Sequence, residues 1–225
     1  MTVLIRFAAM FIMASVIAAC AAPQVKKDYA KYPAGNPRSI LIPPVVNNTV
    51  DVDASRYFLS TIAIPVADRG YYIFPVNLVR GVMNEEGLSD ANMVHAADPA
   101  VLGALFGADA ILYITIDNWE TQYLLVSATT IVSFTYVLKS GRTGEELWRG
   151  SATMSKSSEE DVQEDSEQSS KYSWLNNLIE QAISAAITRA APDYMPLVRQ
   201  ANRQALRVQG QGFPAGPYSE EYAKD

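Results

Sequence analysis

The spacing of apolar positions changes character several times along this chain. Residues 7–19 are apolar throughout, apart from Ser15. Residues 21–37 have no period and carry Pro23, Pro33, Gly35 and Pro37. The first regular pattern begins at Arg38. Ser39-Ile40-Leu41-Ile42 predicts a short strand ended by Pro43-Pro44, because a double proline cannot continue a central strand. Asn47-Asn48-Thr49 reads as a turn. Phe58, Leu59, Ile62 and Val66 then recur at helical spacing over 54–66, with Asp51 or Asp53 as the cap and Pro65 ending or kinking the helix. After Gly70, the aromatic run Tyr71–Val76 predicts a second strand. Alternation puts Tyr72 and Phe74 on one face of it, Tyr71 and Ile73 on the other. A helix over 78–86 closes at Gly87. Asp98 caps a further short helix that closes at Gly107, with Val101, Leu102, Leu105 and Phe106 on its buried side. Ala110–Ile116 predicts a central strand.

From there the period shortens to two. Tyr123–Ser127 and Thr130–Leu138 read as neighbouring strands, the second alternating Val132, Phe134, Tyr136 and Leu138 against Ile131, Ser133, Thr135 and Val137. A turn over 140–144 leads into a return strand from Glu146 to about Met154. Residues 155–171 are almost wholly polar and form a solvated insertion or polar extensions of two strands. Leu175, Leu178, Ile179, Ala182, Ile183, Ala186 and Ile187 place one apolar stripe on a helix over 174–190. Pro192 breaks that helix. A second, over 194–206, has only the thin apolar side Leu197, Val198, Ala201 and Ala205, which lies on its own domain or on a second copy. Strands and helices alternate first and antiparallel strands follow. The fold class is therefore α/β, a mixed β-sheet with helices packed on it and C-terminal helices. The domain runs over 38–208 with the polar insertion at 155–171, and 209–225 is a flexible tail. A monomer or weak dimer is expected.

Charge and chemistry narrow the function. The chain has 18 basic and 24 acidic residues and a net charge of −6, with no Lys/Arg stripe, which excludes nucleic-acid binding. The same balance does not recommend adhesion of the folded surface to acidic lipid. The only histidine, His95, has no second ligand at metal-binding spacing and reads as a half-buried, hydrogen-bonded side chain. Asp51 and Asp53 lack the glycine and final glutamate of a calcium loop and read as capping, solvated acids. The glycines do not form a phosphate loop. No catalytic, metal or cofactor-binding constellation is predicted, so the chain is not read as an enzyme. Tyr71, Tyr72, Trp119 and Tyr123 are the candidate partner surface, although most strand aromatics belong in a core.

The only cysteine, Cys20, follows Ile17-Ala18-Ala19 at the end of the apolar leader. The 13-residue stretch is too short to span a bilayer core of about 30 Å. The pattern resembles the bacterial lipobox, in which a peptidase cleaves before the cysteine and acyl chains are attached to it. Residues 1–19 are then a lipoprotein signal peptide and 20–37 a lipidated tether, and several acyl chains hold far more firmly than one. Ala21 stands where Asp would retain an envelope lipoprotein in the inner membrane, so the resemblance implies the outer membrane, with the domain in the periplasm.

Five segments together carry a second resemblance: the lipobox, Ile40–Asn48, Gly70–Val76, Phe106–Ile114 and Arg142–Trp148. Over about residues 1–205 the chain is similar to a family of bacterial lipoproteins typified by a meningococcal surface lipoprotein. That resemblance implies a fold like the N-terminal domain of TolB, shared in outline with the curli secretion lipoprotein CsgG and the synthase activator LpoB. It implies no enzyme activity and supplies no catalytic residues. It implies a part in an envelope secretion or transport assembly beside other lipoproteins, including a CsgG-like one. A periplasmic ligand-binding module and a regulator of cell-wall synthesis are the alternatives.

Overall fold

Two apolar clusters lie on opposite faces of one mixed sheet, and the residue pattern of the strands explains both. The structure, a computed structural model, describes residues 36–123, 128–157, 193–207 and 212–222. The leader, Cys20, the tether up to residue 35, the insertion beyond residue 157 and the stripe over 174–190 lie outside the described residues.

The described elements are β1 (Ser39–Leu41), β2 (Val46–Asn47), α1 (Ala54–Ala67), β3 (Tyr72–Ile73), α2 (Val76–Glu85), α3 (Ala91–Ala96), α4 (Pro99–Phe106), β4 (Ala110–Tyr123), β5 (Ala128–Ser140), β6 (Glu146–Ser157) and α5 (Met195–Arg207). The strand order is β3-β1-β4-β5-β6, with β2 also on β4. β1 is parallel to β3 and β4, while β4, β5 and β6 form an antiparallel meander. The predicted α/β class and mixed sheet are therefore present, with α5 as a C-terminal helix.

Several details differ from expectation. The chain does not turn at Asn47. It leaves the sheet at Pro43-Pro44 and rejoins β4 as β2, where Val46 pairs with Thr115 although Leu41 pairs with Ile111. Five residues thus oppose four, and the prolines occupy the excursion that their missing N–H groups require. Pro65 lies inside α1 and neither stops nor shortens it. The expected strand over 71–76 is only Tyr72–Ile73, because Pro75 already caps α2. His95 belongs to a helix of its own, α3. β4 runs unbroken to Tyr123, and the rest of the strand read over 123–127 lies outside the described residues.

That length depends on one bulge. Register slips between Ile116 and Asn118, leaving Asp117 as the extra residue, and its carboxylate accepts from the Thr135 hydroxyl at 2.7 Å. Before the bulge Ala110, Leu112, Ile114 and Ile116 face the first core; after it the parity changes and Trp119 does. β5 alternates as predicted, with 132, 134, 136 and 138 buried. α1 and α5 cover this face, joined by a buried polar relay. Tyr136 Oη donates to Asn202 Oδ1 at 2.8 Å and Asn202 Nδ2 to Thr61 Oγ1 at 2.9 Å. The thin side of α5 therefore lies on its own domain.

The second cluster, on the other face, is smaller: Leu41, Val79, Met83, Val94, Leu102, Ala108, Ile111 and Tyr113, under α2, α3 and α4. Here α4 departs from the sequence reading. Leu102 and Gly103 are its buried residues, whereas Val101 and Leu105 face outward. The reason is a backbone approach: a Cβ on Gly103 would lie 2.0 Å from Gly141 O, so the glycine side sets the helix's rotation.

The C-terminal segment also differs from the expected flexible tail. Over 212–222 it folds back as a strap. Phe213 is fully buried between Tyr71 and Trp148, with ring centroids at 5.4 and 4.9 Å. Gly216 N donates to Arg69 O and Tyr218 N to Gly70 O, while Arg69 pairs with Glu221 at 2.8 Å.

Candidate functional site

The four aromatic residues read as one partner surface do not form one. Tyr71 is buried under the strap and its hydroxyl donates to Pro214 O at 2.9 Å. Tyr72, its neighbour, is exposed and meets Phe74 edge-on at 5.2 Å. Trp119 is buried much farther along β4, and Tyr123 is exposed four residues beyond it. Nine residues of strand separate Ala110 from Trp119, about 30 Å. The two pairs therefore sit near opposite ends of the sheet. Burial removes Tyr71 from any partner contact.

At the Trp119 end three pieces of chain converge on a cleft of about 510 Å³ lined by Asp51, Asp53, Tyr57, Trp119, Asp193, Tyr194 and Met195. Each piece is placed by a local rule. The bulge at Asp117 turns Trp119 inward. The loop before α1 is held by Asp51 Oδ1, which accepts from Asp53 N at 2.9 Å. Asp53 caps by position alone: its side chain pairs with Arg56 at 2.9 Å rather than with the helix amides. Asp193 Oδ1 accepts from Met195 N at 3.0 Å and starts α5. Tyr194 is thereby laid against Trp119, stacked at 4.8 Å and 28°, and its oxygen accepts from the Thr121 hydroxyl at 3.1 Å.

The electrostatics are one-sided. Burial pushes the Tyr194 phenol up against the opposing Thr121 hydrogen bond, and the charges of Tyr123, Asp51 and Glu120 raise it further. Glu120 is exposed. Its carboxylate accepts from Gln122 and Asn118, and those bonds hold it below the usual range. Carboxylates beside aromatic faces attract cationic groups, a guanidinium above all. They offer no nucleophile–base pair. Among the described residues no group of three or more His, Cys, Asp or Glu is disposed to hold a metal ion.

Asp51, Tyr57, Asp193 and Tyr194 were not singled out together by sequence reasoning. Tyr194 lies 75 positions from Trp119, and no periodic signal reports a contact of that range. His95 is where a structural histidine belongs. It is half-buried, with Nε2 3.0 Å from Pro44 O and its ring edge-on to Tyr113 at 4.9 Å. It thereby engages a carbonyl of the proline excursion, and burial lowers its pKa.

The match that decides the family covers residues 27–218, where the model of GNA1162-like lipoproteins fits the chain. The chain belongs to the GNA1162-like lipoprotein family. It is 36% identical over 148 residues to the lipoprotein NMB1124/NMB1162 of Neisseria meningitidis serogroup B, covering 64% of this chain and 69% of that one. The crystal structure of lipoprotein GNA1162 from Neisseria meningitidis superposes with a TM-score of 0.52 at 33% identity, over 70% of this chain and all of that one. This GNA1162-like protein is thus a lipid-anchored lipoprotein of the outer membrane with its domain in the periplasm. The cleft is one place in its described surface equipped to hold something else.

Proposed function

We propose that this GNA1162-like lipoprotein is a scaffold or accessory subunit of an envelope secretion or transport complex. One observation carries the reading. The acidic, aromatic-walled cleft opens about 30 Å along β4 from the point where the anchored segment enters the fold at Arg38. A site so placed serves recruitment: the anchor fixes one end of the domain and the cleft is presented away from it. The partner is another envelope lipoprotein, a CsgG-like one first among the candidates, and the domain acts as a monomer or weak dimer. The finer fold assignment, to the TolB N-terminal module, belongs to this proposal. The mixed sheet with helices on both faces supports it.

A photo-activatable residue at position 57 tests the reading in intact cells. Specific envelope proteins should be captured, and Asp51→Lys with Asp193→Lys should abolish the capture. If only abundant bystanders are recovered and deletion leaves every envelope assembly unchanged, the idea fails. The cleft's Trp119 wall also favours a second reading, a module for a small cationic ligand. Native mass spectrometry of protein released gently from its own membrane separates the two, since such a ligand adds a fixed small mass. Stimulation of a purified cell-wall synthase would point instead to regulation of that synthesis.

A further inference from the structure

α4 has no polar side chain anywhere in Pro99–Phe106. One side of it packs through Leu102 and Gly103. The other shows Val101, 63% exposed, and Leu105, 43% exposed, to solvent. A surface helix with only one covered side normally carries charges on the other. The apolar surface continues past the helix. Phe106 meets Phe74 at 6.4 Å, Phe74 meets Tyr72 at 5.2 Å, and Leu78, in the first turn of α2, is 68% exposed. A group of exposed apolar side chains of this kind marks a surface meant to be covered.

Its place in the fold says what covers it. α4 lies across the end of the sheet where β5 turns into β6: Gly103 abuts Gly141, and Pro99 lies beside Gly144. Just after α4, Asp109 accepts from the amides of Arg38 and Ser39 at 3.0 and 3.2 Å. Tyr72 N donates to Arg38 O at 2.9 Å. The patch therefore flanks the residue at which the anchored segment enters the domain. Only residues 21–37 separate Cys20 from Arg38, and whatever path they take they span at most about 60 Å. Lys26, Lys27, Lys31 and Arg38 face a single acid, Asp28, in that stretch, although the chain as a whole is acidic. At this end Asp98 accepts from Ala100 N, Asp109 from Arg38, Ser39 and Arg142, and Glu146 pairs with Arg149, while Glu145 is exposed on the turn after β5.

We infer that this end of the domain rests on the phospholipid surface, with Val101, Leu105, Leu78 and Tyr72 dipping into the headgroup layer as a second, non-covalent membrane contact. Basic segments next to an apolar face bind membranes in this way, drawn by anionic headgroups and held by apolar burial. The sequence alone gave no reason to assign lipid contact to the folded surface, because α4's outer side reads there as core. The inference does not depend on any partner at the cleft.

The acylated full-length mature protein tests it in vesicles of phosphatidylethanolamine and phosphatidylglycerol. Cys20 is the only cysteine and its sulfur carries the lipid, so Leu78→Cys, Leu105→Cys and Val50→Cys each take one nitroxide label. Val50, 97% exposed near the cleft, is the control. Labels at 78 and 105 should lose about fivefold of their collisions with an aqueous nickel complex and gain collisions with oxygen, while the label at 50 keeps its aqueous values. Equal aqueous exposure at all three positions would overturn the inference. So would label–label broadening at 105 that vanishes on dilution with unlabelled protein, which would mean that a second copy covers the patch. Protection seen only in native envelopes and not in vesicles would assign the patch to another protein. Unchanged melting midpoints of the labelled variants exclude misfolding as the cause.

Discussion

Near the start of β1, β3 and β4 the exposed side chains of one face include the large apolar ones Val101, Leu105, Leu78 and Tyr72; at the other end of β4 the cleft is rimmed by Asp51, Asp53 and Asp193, with Glu120 close by. Both ends belong to the same sheet and are built differently. The first is held by backbone approaches that tolerate no side chain, Gly103 on Gly141 and Gly216 on Gly70. The second is held by ring stacking and by acids that organise turns. Val50 and Val52 are exposed there as well, but singly, on a loop, and single exposed apolar residues are ordinary. The difference gives the domain a polarity: an apolar end where the chain enters at Arg38 and an acidic end at the cleft.

The largest expected effect strikes the anchored end. Phe213→Ala empties a fully buried ring site between Tyr71 and Trp148 and should cost about 4 kcal/mol in denaturant unfolding. A loss under about 1 kcal/mol would mean that the strap is not part of the core. Gly103→Val comes next, at about 3 kcal/mol, because its Cβ would meet a backbone oxygen that cannot move aside. It should also lift α4 and weaken vesicle contact while leaving capture at the cleft intact. At the other end Tyr194→Leu should cost only about 1 kcal/mol, chiefly the aromatic pair with Trp119, since the ring is half-exposed. Equal losses at both ends would erase the contrast between them.

How much of this contrast the sequence held depends on the range of each signal. Local signals were readable. Asp98 caps α4 through Ala100 N, Gly107 closes it with φ 66°, and β5 buries every second residue. Signals that depend on distant backbone were not. α4's outer side looks like core until Gly103 is seen against Gly141, 38 positions away. The bulge at Asp117 reverses the parity of β4 with no turn residue to announce it. β2 hides behind two prolines that ordinarily end a strand. The cleft was legible only in fragments, Trp119 as an aromatic and Asp51 and Asp53 as caps, because Tyr194 reaches it from the far part of the chain.

Smaller effects sharpen the picture further. Burial holds the His95 pKa below 6.5 against the Pro44 hydrogen bond, and Lys139 lowers it further. The folded state therefore prefers the neutral ring. Its contribution is fully present above about pH 6.5 and is lost as pH falls through the lowered folded value. Melting midpoints should fall between pH 7 and 5, and His95→Gln, which still donates to Pro44 O, should fall less over the same window. An identical fall would assign the slope to other groups. The smallest effect expected on the fold is that of Cys20→Ala, which should abolish acylation and outer-membrane recovery and leave the unfolding midpoint of the domain almost unchanged. Normal outer-membrane recovery would defeat the anchor, and a large loss of stability would place Cys20 inside the fold.

The strap sets an order of events for the chain's journey across the inner membrane. Tyr222 Oη donates to Asn36 Oδ1 at 2.7 Å, joining the last described residue to the first. A polypeptide that emerges with its N-terminus leading delivers Tyr71 and Trp148 long before Phe213 arrives to close over them. Until then both rings stand open to solvent and to export chaperones. A stop codon anywhere before residue 213 therefore does not yield a slightly shorter lipoprotein. It yields one whose main core lacks its last wall, with the Tyr71 and Trp148 rings left uncovered where Phe213 would pack.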